Sequence, residues 1–198
     1  MVEYLIISLV FTLSVAVDAS IGGWGGLFIV PALISLWLEP IIAVGSMMTA
    51  FLWALIGGLL KLRKTQYFVT ERKQWVYIAI VCIGAIAGAN IAVDLDQTLL
   101  KRIIATALLL VLVVWLKPKA VKLPKIVFRV PKIIILITAF LIGIYYAIVG
   151  SGGGFLLTFF FLFTTGKGLK DVLIYRLGTG LIAILLIAPI YIWNGKVD

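Results

Sequence analysis

The charged residues of this chain are gathered into a few clusters. Between them run apolar stretches approaching about 20 residues, the length a helix needs to cross roughly 30 Å of hydrocarbon. That spacing constrains the fold more than any motif does. Of 198 residues, 64% are hydrophobic and only 13% charged, whereas a soluble domain carries about a quarter charged residues. A soluble globular domain is excluded. Apolar segments are read at 3–21, 25–38, 41–60, 74–93, 99–116, 133–149, 153–165 and 172–193, those at 25–38 and 153–165 being short. Backbone polar groups in hydrocarbon must be satisfied within the chain. With no series of alternating ten-residue strands, the expectation is an all-α, polytopic helical membrane protein. The run from Tyr4 to Val17 has Glu3 where a signal peptide carries positive charge, so it reads as the first membrane segment.

The formal net charge is +9. On a membrane protein such an excess is read as orientation signals and contacts with lipid headgroups, and no nucleic-acid partner is expected. The linker 117–132 holds Lys117, Lys119, Lys122, Lys125, Arg129 and Lys132 with no acid, and Pro118, Pro124 and Pro131 interrupt any helix there. The loop 61–73 holds Lys61, Arg63, Lys64, Arg72 and Lys73 against Glu71. Two crossings separate these basic loops, so both are expected on the cytoplasmic side, with the N-terminus and the Asp94/Asp96 turn outside. Cys82 is the single cysteine and histidine is absent. An intrachain disulfide, a His/Cys metal site and a His-based catalytic dyad are thereby excluded. Neither a cofactor nor an enzymatic activity is expected.

The sequence contains an internal duplication. Gly22-Gly23-Trp24-Gly25-Gly26-Leu27-Phe28-Ile29 aligns with Gly150-Ser151-Gly152-Gly153-Gly154-Phe155-Leu156-Leu157. Each stretch follows an apolar segment and opens a short one. A turn comes next, and then a long segment carrying Gly45-Ser46 or Gly178-Thr179. Counting crossings from the basic loops turns the two copies upside down relative to each other. The expected architecture is one membrane domain, 1–198, built of two inverted repeats (1–116 and 133–198, joined by the basic linker), each opening with a Gly-broken helical hairpin. The segments 74–93 and 99–116 have no counterparts after 172–193, so the second repeat is expected to be incomplete. Inverted repeats with short, Gly-interrupted segments are a transporter architecture with the substrate at the repeat interface.

A bend that opens a helix presents its first free N–H groups, and with the helix dipole these favour an anion. Gly22, Gly25, Gly26, Gly150, Gly152, Gly153 and Gly154 are therefore candidate binding residues, against the plainer reading that glycine permits close helix packing. Gly84 and Gly88 are read as packing glycines only. Ser46, Ser151 and Thr179, with Ser20, lie beside the bends; their hydroxyls either contact substrate or bond back to the helix. Arg176 either binds the anion, pairs with Asp18 or snorkels to the near face. Asp18 accepts a coupling proton, holds a cation, or caps the next helix. Tyr145 and Tyr146 line the pathway or face lipid, and Trp24 gates the first bend or fills space.

These residues resemble the TauE/SafE family of sulfite exporters. The resemblance lies in the two bends, Pro31, Pro40-Ile41-Ile42-Ala43-Val44-Gly45-Ser46, Gly84-Ala85-Ile86-Ala87-Gly88-Ala89-Asn90 and Lys101-Arg102. Trp24 replaces a glycine common in that pattern, Phe159 stands where a proline is frequent, and Arg176 is not part of it. The resemblance implies export or uptake of small anions such as sulfite, sulfoacetate or related organosulfonates. The alternative is a non-transporting or partner-completed membrane subunit; the partners expected besides substrate and lipid are further copies of the chain or a completing partner chain.

Overall fold

The computed structural model describes residues 26–35, 38–62, 72–115, 131–150 and 152–197, together with 9, 12 and 13. The described residues form helices α1 (Gly26–Ser35), α2 (Pro40–Leu62), α3 (Arg72–Asp94), α4 (Gln97–Trp115), α5 (Lys132–Val149), α6 (Gly153–Thr165) and α7 (Leu169–Trp193), with no strand among them. The apolar segments from 25 onward thus fold as helices, with ends within three residues of the expected ones. Leu9, Thr12 and Leu13 are helical; otherwise the segment 3–21 lies outside the described residues. Among the described residues four helices, α2, α3, α5 and α7, are long and apolar enough to cross a membrane. The short α6 spans about 20 Å at 1.5 Å per residue.

Local chemistry sets the helix ends. The Asp96 carboxylate accepts from the N–H groups of Thr98 and Leu99 at 2.9 and 3.0 Å and opens α4. Gly166, left-handed at φ 64°, closes α6 and donates its N–H to Leu162 O at 3.1 Å. Two prolines lie within helices, Pro31 in α1 and Pro189 in α7.

Small residues let the helices approach. The most extensive pairing joins α3 and α5. A Cβ at Gly84 would strike the Phe140 carbonyl, one at Gly88 would come within 2.6 Å of the Ile144 carbonyl oxygen, and one at Gly143 would strike Val81 O. Successive turns advance together, so the two helices run parallel. This is the small-residue packing expected of Gly84 and Gly88. In contrast, α2 and α7 are antiparallel. Leu177 packs on Gly58, Leu55 lies against Gly180, and the Lys196 carbonyl sits directly over Gly45. Gly45 is thereby occupied by the turn that ends α7. At this end the buried Tyr191 hydroxyl donates to Ala147 O at 2.8 Å, and Ile41 N–H reaches Gln97 Oε1 at 3.5 Å. Helices α3, α5 and α7 therefore point one way, and α2 and α4 the other. Ile133, Ile134, Ile137 and Leu141 of α5 are exposed, and in a bilayer they face lipid.

Candidate functional site

The chain reverses between α5 and α6 inside the bundle. Gly150 closes α5 at φ 68°, and Gly152 precedes α6 at φ 75°. Both angles lie where L-residues pay a steric cost of roughly 1–2 kcal/mol. A Cβ on Gly150 would also come within 2.7 Å of Met47 Cε and 3.3 Å of Val44 Cγ1. Met47 lies seven residues beyond Pro40, so the bend sits about 10 Å inside the span measured along α2. The broken hairpin thus turns within the membrane thickness, next to α2 and α7.

Around the bend is a cavity of about 30 Å³, room for one or two water molecules. Its walls are Met47, Met48, Phe51 and Leu55 of α2, Tyr146 and Gly150 of α5, Gly152, Gly154 and Leu157 around the start of α6, and Arg176, Gly180 and Ile184 of α7. Gly152 makes no side-chain cap hydrogen bond. The amides of the first turn have no carbonyl four residues earlier within the helix, and the helix dipole makes this end positive.

Arg176 is only 6% exposed. Its guanidinium lies across the first turn of α6: a Cβ added to Gly154 would meet Nε at 2.9 Å and Nη2 at 3.1 Å. The side chain is therefore directed to the far end of α6 from the Gly166–Gly168 turn. Snorkelling toward that turn does not describe it. Tyr146 completes this corner, with its ring packed over Gly153 and its hydroxyl 3.3 Å from where a Cβ on Gly180 would lie.

The expected site residues divide accordingly. Gly150, Gly152, Gly154 and Arg176 are brought together, with Tyr146 beside them. Gly153 is at the same helix start but serves as a seat for the Tyr146 ring. Thr179 is fully buried, and its hydroxyl donates to Tyr175 O at 2.6 Å, the back-bonded alternative. Thr158 is spent likewise on Gly154 O at 2.8 Å. Ser46 is not among the cavity walls. Gly26 opens α1, while Asp18, Ser20, Gly22, Trp24, Gly25 and Ser151 lie outside the described residues. Tyr145 lines a different groove, between α4, α5 and α6. The sequence reading missed the α2 wall and Gly180. The signal for Gly180 was available: it stands four residues after Arg176, on the same face of α7.

Alternating apolar helices with a hairpin broken inside the span define a polytopic membrane protein of the transporter type. The profile of the family described as Sulfite exporter TauE/SafE matches residues 6–198, and the chain belongs to that family. It is accordingly a membrane transport protein. Among curated proteins and among solved structures, nothing matches the chain.

Proposed function

We propose that this chain is a secondary transporter of small anions, sulfite or an organosulfonate such as sulfoacetate, and that the anion binds at the start of α6. The observation that carries this reading is the buried guanidinium of Arg176 lying across the first turn of α6. A planar fork of donors and a helix N-terminus favour the same ligand, a compact oxoanion. The apolar walls from α2 and α7 keep water away and strengthen both interactions. In this reading α2 or α7 parts from the bend to admit the substrate. Met47 and Met48, flexible and unbranched, are suited to such repacking.

In the same reading the first bend, with Gly22, Gly25 and Gly26, supplies the inverted counterpart of this site. Asp18 supplies the coupling carboxylate. The basic loops 61–73 and 117–132 face the cytoplasm and the N-terminus lies outside, an assignment that rests on charge distribution.

The test is uptake of labelled sulfite and sulfoacetate into proteoliposomes under imposed pH gradients of either sign. Saturable uptake that falls at least tenfold in Arg176→Ala is expected. Saturable uptake unchanged by Arg176→Ala would remove the anion from this corner. No uptake under either gradient would favour the partner-completed subunit instead.

A further inference from the structure

A second cavity lies apart from the bend, in the angle between α4, α5 and α6, with a volume of about 580 Å³. That is within the roughly 300–1,000 Å³ of small-molecule sites. Its walls are apolar over most of their area: Ile103, Ala107 and Leu110 of α4, Val149 of α5 and Leu156 of α6. Leu110 is largely exposed, so the groove opens sideways, toward the hydrocarbon in a bilayer.

Two polar groups interrupt this surface. Arg102 lines the groove five residues into α4, close to the turn that joins α3 to α4. Among the described residues it has no carboxylate partner. The nearest acid in sequence, Asp96, is engaged with the first amides of its own helix. Lys101 beside it is exposed. The second group is the Tyr145 hydroxyl, which is buried and makes no hydrogen bond. A buried hydroxyl left without a partner destabilises the fold until something supplies one.

A free anion would use Arg102 but not the long apolar trough. A purely apolar molecule would use the trough and leave both polar groups unanswered. An amphiphile with an anionic head answers all three. We propose that the groove holds an anionic phospholipid: one acyl chain lies between α4, α5 and α6, the phosphate rests on Arg102, and the Tyr145 hydroxyl, uncovered as the groove fills, donates to a carbonyl oxygen of the same lipid. The occupied groove would tie α4 to the α5–α6 hairpin without touching the anion cavity.

The full chain, delipidated in detergent, is titrated with dioleoylphosphatidylglycerol or dioleoylphosphatidylcholine and followed by native mass spectrometry and thermal unfolding. The phosphatidylglycerol is expected to bind about fivefold more tightly, the effect of one basic residue near a lipid surface. Arg102→Gln should abolish that preference. Tyr145→Phe should weaken both lipids alike, by about fivefold for one hydrogen bond. Ala107→Phe, which fills the trough, should exclude both. If Ala107→Phe fails to fold, the other two variants decide. Equal binding of the two lipids by the parent chain, or a preference that survives Arg102→Gln, would overturn the proposal. So would competition by glycerol phosphate as effective as by the whole lipid, which would make this an anion site.

Discussion

The contact between Gly154 and Arg176 yields the sharpest test of the anion site. A methyl group at residue 154 would stand 2.9 Å from Arg176 Nε, against the 3.4 Å at which ordinary van der Waals contact begins. The guanidinium must then withdraw by about 0.5 Å, and being the end of a long side chain it can. Two unit charges 4 Å apart at an effective dielectric of about 20 attract by ~4 kcal/mol, and a 0.5 Å retreat forfeits ~0.5 kcal/mol of that. The misaligned charge-assisted hydrogen bond adds a comparable or larger loss. Gly154→Ala should therefore weaken anion affinity by about 1–2 kcal/mol, roughly 5- to 30-fold, while leaving the melting temperature nearly unchanged. The decisive assay is a double-mutant cycle with Arg176→Lys, read as the KM for sulfite uptake in proteoliposomes. A lysine ammonium has no planar fork to lay across the turn, so Gly154→Ala should cost far less in that background. An equal cost in both backgrounds would show that Gly154 does not act through Arg176, and the geometric argument would fail. Gly153 is unsuited to the experiment, because any side chain there strikes the Tyr146 ring, and lost uptake would report only packing.

Other outcomes follow from the same packing. Gly88→Ala forces its methyl within 2.6 Å of Ile144 O and should destabilise the α3–α5 pair by about 1–3 kcal/mol, seen as a lower melting temperature in detergent. A neutral result would mean that the helices are not in close contact. Tyr191→Phe removes the buried 2.8 Å bond to Ala147 O and should cost about 0.5–2 kcal/mol in the same measurement. Thr179→Val removes only a back-bond to Tyr175 O, so uptake should stay at the parent level. Loss of uptake with an intact melting temperature would place the Thr179 hydroxyl on the substrate.

Helix positions were legible because apolar length is a direct demand of the bilayer, and α6 has the limits read from the sequence, 153–165. The bend before it was legible too, since a run of glycines is the cheapest way to place left-handed angles between two apolar helices. The walls of the cavity were not. In a soluble helix the polar face marks the outside, but in hydrocarbon both faces are apolar and the 3.6-residue period loses its meaning. On α2, Phe51 and Leu55 are buried while Trp53 is 73% exposed, although all three are large side chains within one apolar run. Tyr145 and Tyr146 show the same blindness. They are neighbours about 100° apart on α5, and only packing decides that one faces the bend and the other the lateral groove. Thr179 draws attention in the sequence because a hydroxyl suggests chemistry. Its donor is already spent on the helix, whereas the bare Gly180 leaves room for the Tyr146 hydroxyl.

These features answer one physical requirement. A membrane helix satisfies its own backbone, so amides become available to a ligand only where a helix is interrupted, and an interruption facing lipid is prohibitively costly. The break at Gly150–Gly152 must therefore be enclosed by unbroken helices, and α2 and α7, 23 and 25 residues long, provide that enclosure.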